Sequence, residues 1–483
     1  MKDLDLNRER ESFTSLPKFR SILGWYPVRN EAVASAALTN TLYCPTFQFP
    51  KDILQFIKRD GKTQNTKNAI AIAIAIAIAM DKFVFLRIFV LVSTTIFSFA
   101  KPNRSQFNVL DYGALPGTTE DSSHAFLRAW NDFCNTTTED PVLTVPPGKT
   151  FLLNPVVFNG PCKPKHLTLR ILGVIAAPSS PKTWSRFDPG RWLTFRGVTG
   201  LSIAGCGGFD GRGEGWWDQS CRDHQGLKGC TSLAPTALSF QLCNNITLSN
   251  VHFINSPQVH VLIYGSSGID IDSILIDSPG NSPNTDGIHI QAAQNISITN
   301  SIIGSGDDCV SIGDYTSNIR ISDVECGPGH GISIGSLGKD GNVVQVENIH
   351  VTNVSFTNTT NGARIKTWQA GRGYVRDISY KNCKFDSVNY PIIIDQNYCL
   401  KGDACKEMKT GVHISNVTFD NFSGTSTTDV AISLNCSWAV GCTGIILQSI
   451  KLTSAMTGKR VTSSCTNAHG NAIGMVEPPS CLS

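Results

Sequence analysis

Three short stretches decide the fold: NTDGIHI at residues 284–290, GDDCVSI at 306–312 and GHGISI at 329–334. Their aliphatic positions recur at 22-residue steps, as Ile288, Val310 and Ile332 and, two residues on, as Ile290, Ile312 and Ile334. An equal step stacks like residues above one another at the strand spacing of about 4.8 Å. A sandwich or barrel also contains many short strands but needs no constant step. The pattern therefore favours a parallel β-helix with an aliphatic stack inside it.

A second motif repeats over a longer part of the chain. It places Asn or Asp before a short alternating strand, as in Asn245-Ile-Thr-Leu, Asn295-Ile-Ser-Ile, Asn318-Ile-Arg-Ile, Asn348-Ile-His-Val and Asp377-Ile-Ser-Tyr, and ends at Val412-His-Ile-Ser. Strands of 3–5 residues at such spacings indicate a solenoid, in which each coil buries its apolar face against the next. Before the repeats, apolar residues at helical spacing predict one amphipathic helix over Thr119–Cys134, which would cover the first coil.

Polar residues follow the same 22-residue register. The steps from Asp286 to Asp308 and from Asp308 to His330 are both 22 residues, and Asp307 precedes Asp308. On a regular coil these side chains form one column, so that three carboxylates and an imidazole gather in a patch. Like charges at close range raise at least one pKa, which lets one carboxyl group act as an acid while another activates water.

Two cations come next along the predicted axis. Arg364 and Lys366 are two residues apart and so share one face of a strand. Beside an acidic cluster, they suit an anionic sugar held by its carboxylate. Taken singly, these segments could be ordinary turns, a calcium site, a loop histidine and a solvated strand face; their common register favours function. Strict alternation would point positions 286, 308 and 330 inward, so a bend or bulge must turn them outward.

Composition restricts the class of protein. Residues 1–100 carry 13 Lys/Arg and 8 Asp/Glu, whereas the remainder carries 28 basic and 30 acidic residues without a long basic stripe. Nucleic acid is therefore not expected as a partner. Sixteen cysteines without a CxxC pair indicate disulfides and export, with short loops between Cys309 and Cys326, Cys399 and Cys405, and Cys436 and Cys442. Fifteen cysteines follow residue 100, so at least one thiol should be unpaired.

The N-terminus divides into two segments. Residues 80–100 have a charged start, an apolar run and small residues at 98 and 100, which predicts a secretory signal cleaved before Lys101. Residues 1–79, which include an alternating Ala/Ile run, are interpreted as a gene-model extension with no predicted fold. The alternative is a membrane anchor over residues 69–99, which charges at positions 81, 82 and 87 disfavour. Residues 101–483 would form the catalytic domain.

These motifs together resemble the polygalacturonases, family 28 of the glycoside hydrolases, especially the plant members. The similarity runs over about residues 105–483, from Phe107-Asn-Val-Leu-Asp-Tyr-Gly113 to Ile394-Asp-Gln-Asn-Tyr-Cys399, and includes Cys326-Gly-Pro-Gly-His-Gly331 and Arg364-Ile-Lys366. The resemblance implies a right-handed, single-stranded parallel β-helix that hydrolyses α-1,4-linked galacturonan, a pectic polysaccharide, with inversion. It also implies a disulfide between Cys309 and Cys326.

The resemblance further implies a role for each site residue. Asp307 matches the general acid, Asp286 and Asp308 match the pair that activates water, and His330 matches the residue that tunes the acid. Arg364 and Lys366 match ligands of the substrate carboxylate, and Tyr398 matches a substrate-contacting tyrosine. No metal or other cofactor is expected. The resemblance implies a secreted monomer of the cell wall, without stable membrane association after signal removal, and nine Asn-x-Ser/Thr sequons permit glycosylation.

Two other functions fit the same architecture. A pectin or pectate lyase would eliminate rather than hydrolyse, commonly with calcium, and would leave unsaturated products. An inactive pectin-binding relative would gain nothing from three carboxylates in the groove of an anionic polymer. Whether the enzyme acts on chain ends or internally is left open by the spacing of these motifs.

Overall fold

The computed structural model describes residues 105–483, except residues 185, 222, 225, 229, 232 and 400–407. The predicted extension, residues 1–79, and the predicted signal, residues 80–100, lie outside the described residues. Within the described part of the chain, no helix is long and apolar enough to cross a membrane.

The described chain winds into a right-handed parallel β-helix, as predicted. Two strand rows line two of its sides, and both pair only in parallel fashion within the described ranges. The first comprises β1 (Gln106–Asn108), β3 (Val142–Val145), β6 (Leu167–Ile171), β9 (Leu201–Gly205), β12 (Asn244–Ser249) and β15 (Ser267–Asp272). The second comprises β2 (Gly117–Asp121), β4 (Thr150–Leu152), β7 (Val174–Ala176), β10 (Gly208–Asp210), β13 (His252–Ile254) and β16 (Leu275–Asp277).

From the seventh coil onward, single long strands span both rows. They are β18 (Gln294–Gly304), β20 (Thr316–Cys326), β22 (Val343–Thr357), β24 (Arg372–Val388), β26 (His413–Ser426), β28 (Cys442–Ser454) and β30 (Ala468–Glu477). At up to 17 residues they exceed the predicted 3–5. Left-handed Asn and Asp residues, such as Asn295 and Asn300 in β18, bend the strand without interrupting its pairing.

The third side, here called the site sheet, has eleven strands. They are β5 (Val156–Asn159), β8 (Arg191–Arg196), β11 (Thr236–Gln241), β14 (Val261–Tyr264), β17 (Ile288–Gln291), β19 (Val310–Ile312), β21 (Ile332–Leu337), β23 (Asn361–Trp368), β25 (Tyr390–Tyr398), β27 (Val430–Asn435) and β29 (Thr462–Thr466). The predicted 22-residue register is confirmed, since Ile288 pairs with Val310 and Val310 with Ile332. All three are fully buried.

The strands of the Asn/Asp motif also pair in register from coil to coil over most of the repeat. Its first apolar positions lie in one stack: Ile246, Ile296, Ile319, Ile349 and Ile378. Ile269, which follows Gly268 and was not among the predicted members, pairs between Ile246 and Ile296. The predicted last member was misplaced, because Ile378 pairs with Val417. Asn416, which has a left-handed φ of 55° like Asp377 at 58°, is therefore the true equivalent.

A helix closes the N-terminal end of the core, as predicted. It is α1 (Ser123–Asn135), which begins four residues after the expected Thr119 because Gly117–Asp121 forms β2. Trp130 of this helix packs its ring 5.3 Å from that of Phe158 and 5.4 Å from that of Phe195. The short α2 (Glu214–Trp217) and the 3-10 turns at Val109–Tyr112, Pro181–Trp184 and Lys339–Gly341 complete the described helices.

Disulfides bind the coils and the connecting segments. They join Cys134 to Cys162, Cys221 to Cys230, Cys309 to Cys326, Cys436 to Cys442 and Cys465 to Cys481. The implied Cys309–Cys326 bond and the short Cys436–Cys442 loop are thus present, whereas Cys405 lies outside the described residues. Among the described residues, Cys243 and Cys383 carry free, buried thiols, so the prediction of at least one unpaired thiol is confirmed.

Candidate active site

The acidic column stands where three strands of the site sheet begin. Asp286, Asp308 and His330 each precede the first residue of β17, β19 or β21 by two positions, so the alternation of the strand does not extend to them. Gly331, with φ of 88°, provides a backbone conformation that favours glycine. The carboxylates of Asp286 and Asp308 reach the hydroxyls of Ser311 and Ser333, which alternate with the buried aliphatics and so face outward. The bend that the sequence requires is therefore present.

Asp307 and His330 form a partly exposed pair beside the column. His330 Nδ1 lies 2.9 Å from Asp307 Oδ1, and the side chains are 24% and 14% exposed, respectively. The backbone N–H of Asp308 donates to the same Oδ1 at 2.9 Å, and the backbone N–H of His330 donates to the Asp307 carbonyl. Two coils thus hold Asp307 at the groove surface with one carboxyl oxygen committed as an acceptor.

Asp308 is the most buried acid of the cluster, with a side chain 2% exposed. Arg364 Nη2 donates to Oδ1 at 2.5 Å, and Lys366 Nζ donates to Oδ2 at 3.0 Å. Ser333 Oγ also donates to Oδ1, at 2.7 Å. Such complete pairing offsets the desolvation cost of a buried charge. The two predicted substrate cations therefore also serve as counter-charges within the protein.

Asp286 is held differently. Its Oδ2 accepts a hydrogen bond of 2.6 Å from Ser311 Oγ, which is itself 2.7 Å from His289 Nδ1. Its carbonyl oxygen accepts from the backbone N–H of His260 at 2.9 Å and lies 3.0 Å from His260 Nδ1. Desolvation, followed by the negative charges of Asp307 and Asp308, raises the pKa of Asp286 well above that of an ordinary aspartate.

Tyr398 ends strand β25 on the same side of the groove. Its ring centroid lies 5.7 Å from Lys366 Nζ and 5.4 Å from the ring of Trp368, which it meets edge to face. Asp395, the register partner of Lys366, accepts hydrogen bonds from Asn397 and Asn435, and burial raises the pKa of its carboxyl group. All seven residues predicted for the site are therefore brought to neighbouring strands of one sheet.

A partly open cavity adjoins the acidic turn toward the N-terminal coils. Trp216, Trp217, Pro257 and Gln258 line it together with Asn284, two residues before Asp286. Trp217 is fixed in place because its indole N–H donates to the Ser256 carbonyl at 3.2 Å. The cavity offers apolar ring surface and amide groups next to the carboxylates, a combination suited to a sugar ring.

The donor geometry also bears on metal binding. Asp307, Asp308 and His330 present one ligand atom each, and these atoms lie within 4.8 Å of one another. Both oxygens of Asp308 already accept from cationic side chains, and Asp307 Oδ1 accepts from a backbone N–H. Because a divalent cation would compete with Arg364 and Lys366 for the same oxygens, these residues suit a metal poorly. That the site needs no metal stays a prediction.

Three polar residues of the site were not identified from the sequence. They are His289, Ser311 and Ser333, which are register partners of one another and lead to Arg364. A sequence pattern does mark their positions: they follow Asp286, Asp308 and His330 by three residues each and repeat at the same 22-residue step. Nothing in that pattern separates a hydrogen-bonding serine from a solvated one.

Comparisons with known proteins agree with this geometry. The sequence model of glycosyl hydrolases family 28 matches residues 134–478. A probable polygalacturonase of Arabidopsis thaliana is 40% identical over 376 residues, 78% of this chain and 84% of its own. A polygalacturonase of Malus domestica is 40% identical over 77% of this chain and 78% of its own. The crystal structure of an endo-xylogalacturonan hydrolase from Aspergillus tubingensis shares the fold, with a TM-score of 0.64 at 23% identity over 75% of this chain and 98% of its own.

Proposed function

Because the chain belongs to family 28 of the glycosyl hydrolases, we propose that it is a polygalacturonase, which hydrolyses the α-1,4-galacturonosyl linkages of homogalacturonan with inversion. The observation that carries this proposal is the assembly of Asp286, Asp307 and Asp308 on two neighbouring coils, beside two cations that an acidic sugar can use. The relatives at 40% identity bear the name polygalacturonase, which supports the same substrate class.

Asp307 is the general acid of the proposed reaction. It is the more exposed of the two adjacent carboxyl groups, so it can reach the glycosidic oxygen, whereas Asp308 is almost completely buried. Since Asp307 Oδ1 accepts the N–H of Asp308, the transferable proton belongs on Oδ2. His330, whose Nδ1 lies 2.9 Å from Asp307 Oδ1, is the residue that tunes the acid in this proposal.

Asp286 and Asp308 activate the water on the opposite face of the sugar ring. An inverting hydrolase needs one protonated and one ionised carboxyl function at the same time. Arg364 and Lys366 place a cationic donor on each carboxylate oxygen of Asp308. The division between acid and base thus follows from the different partners of the three aspartates.

Arg364, Lys366 and Tyr398 bind the galacturonate unit. Arg364 and Lys366 use one donor each in their contacts of 2.5 and 3.0 Å with Asp308. Their side chains are 13% and 11% exposed, and arginine has five N–H donors and lysine three, so both have donors for a substrate carboxylate. The ring of Tyr398 covers Lys366 and presents a face to the sugar.

The same proposal includes export to the cell wall. Five disulfides join described residues, as is usual in an oxidising compartment. We accordingly expect a secreted, glycosylated monomer that makes no stable membrane contact once the segment 80–100 is removed, so that residues 101–483 act as the catalytic domain.

The test is incubation of the secreted protein with polygalacturonic acid, with reducing ends and product size as readouts. Reducing ends without ultraviolet-absorbing unsaturation are expected, and the first-formed anomer should be inverted, as seen by proton NMR. Monomer alone would indicate action on chain ends, and a spread of oligomers would indicate internal cleavage. The Asp307→Asn variant should lose about 10²–10⁴-fold in kcat while retaining binding. Unsaturated products, or near-normal activity of this variant, would contradict the proposal.

A further inference from the structure

Two hydrogen-bond chains of matching design lie side by side in the site sheet. Each runs from a nitrogen donor through a serine to an aspartate on the preceding turn. The donors and serines form one row of register partners across β17, β19, β21 and β23: His289, Ser311, Ser333 and Arg364. The serines face out of the coil beside the catalytic turns and are nevertheless 2% or less exposed.

Counting protons assigns the direction of the first chain. An ionised Asp286 only accepts, so Ser311 Oγ donates its single proton to Asp286 Oδ2 across 2.6 Å. His289 Nδ1, 2.7 Å from the same Oγ, must then donate to it. Burial lowers the pKa of His289, which keeps the ring neutral with its proton on Nδ1. Asp286 is therefore held by a neutral chain.

The second chain is charged. Arg364 Nε donates to Ser333 Oγ at 2.7 Å, and Ser333 donates to Asp308 Oδ1 at 2.7 Å. Arg364 and Lys366 also contact the two Asp308 oxygens directly. Both carboxylate oxygens of Asp308 are therefore occupied by cationic donors, which fix its position. In the described residues, the carboxylate of Asp286 makes no such ion pair.

We propose that Ser311 and His289 position Asp286 as the carboxylate that accepts the proton of the attacking water, and that Asp308 only orients that water. This inference rests on the proposed hydrolase function and divides the two roles within it. The water oxygen bonds to the anomeric carbon as the glycosidic C–O bond breaks. Its released proton goes to Asp286, and the leaving oxygen takes the proton of Asp307, so that protons and electron pairs balance. Ser311 and His289 touch no reacting atom and act through Asp286.

A comparison of Ser311→Ala with Ser333→Ala tests the division. The groups that face Asp286 are Asp307 and Asp308 on the next turn and Lys366 on β23; they are unchanged in Ser311→Ala. Loss of one charge-assisted hydrogen bond disfavours ionised Asp286, so the acidic limb of the kcat/KM profile should move up by about one pH unit. In Ser333→Ala the limb should not move, because Arg364 and Lys366 remain on Asp308.

The same variants should change kcat and KM to different extents. Ser311→Ala should lower kcat by about 10-fold with KM little changed, because a displaced base affects the transition state more than substrate binding. The matched control is Ser433→Ala, at a serine in the same outward row, two coils beyond Arg364. That variant should retain normal kcat and the normal pH profile.

A double-mutant cycle tests whether His289 acts through Ser311. His289→Ala should lower kcat in the parent enzyme but have no further effect in the Ser311→Ala background, since the chain is already broken. His289→Gln keeps an N–H donor and should recover part of the loss. Additive effects of His289→Ala and Ser311→Ala would overturn the proposal. An unmoved acidic limb in Ser311→Ala, or an equal movement in Ser333→Ala, would do the same.

These outcomes are distinct from failure of the proposed function. If the parent enzyme releases no reducing ends from polygalacturonic acid, the hydrolase proposal fails first. If the parent enzyme is active and Asp307→Asn is inactive, but Ser311→Ala behaves like Ser433→Ala, only the positioning role fails.

Discussion

Two polar columns of this molecule share the coil-to-coil repeat but differ in chemistry. One is the amide column formed by Asn295, Asn318 and Asn348 on the sheet away from the site. There Asn318 Nδ2 donates to Asn295 Oδ1 at 3.1 Å, and Asn348 Nδ2 donates to Asn318 Oδ1 at 2.6 Å. Asn318 thus both donates and accepts within the column, because an amide carries both kinds of group. At the two ends, Asn295 Nδ2 donates to Ser267 Oγ and Asn348 Oδ1 lies 2.7 Å from His350 Nε2.

The other is the carboxylate column of Asp286 and Asp308, with His330 above them. Ionised carboxylates only accept, so they cannot bond to one another and must draw donors from other rows. Ser311 supplies one, and Arg364 and Lys366 supply others. Equal register therefore does not make two columns equivalent. Within this column, burial and the charges of Asp307 and Asp308 raise the pKa of Asp286, a property that catalysis can use.

The largest expected effect comes from removal of both counter-charges of Asp308. In Arg364→Met/Lys366→Met, the buried carboxylate has no cation, which should destabilise the fold by about 3 kcal/mol and abolish activity. Urea unfolding at neutral pH measures the first effect and reducing-end release the second. Adding Asp308→Asn to this double variant should restore much of the stability but none of the activity. If the double variant were as stable as the parent, the conclusion that the carboxylate column depends on donors from other rows would be refuted.

A smaller effect is expected from the amide column. Asn318→Ala removes two amide hydrogen bonds and places alanine at a φ of 59°, so stability should fall by about 1–2 kcal/mol. Asn318→Gly keeps the backbone conformation and should lose only the amide contribution, about 1 kcal/mol. Both variants should retain the parent kcat, measured on polygalacturonic acid. A change in kcat larger than the change in folded fraction would show that this column also affects catalysis.

The smallest expected effect is that of a chelator. Because the oxygens of Asp308 are occupied by Arg364 and Lys366, EDTA should leave both activity and the thermal midpoint unchanged. Activity that is lost in EDTA and regained with calcium would instead assign the Asp307, Asp308 and His330 group to a metal.

The sequence predicted much of the fold because a β-helix is built from nearest-neighbour coils. The 22-residue step between Ile288, Val310 and Ile332 is a property of the chain alone, and stacking follows from it. The capping helix was likewise predicted from the helical spacing of its apolar residues. Strand ends were less predictable, since left-handed residues such as Asn300 bend a strand in one case and end it in another.

Membership of the column follows from the chain alone, because a constant step brings Asp286, Asp308 and His330 together whatever the details of the turns. Their individual roles came from the family resemblance and remain proposals. Only the tertiary structure decided which way the column faces, because that depends on a few backbone angles before β17, β19 and β21. It alone also decided that Arg364 and Lys366 pair with Asp308 while Asp286 has the neutral Ser311–His289 chain. Donor and acceptor partners are chosen by distance and direction among side chains up to 58 residues apart in sequence, which no local pattern encodes.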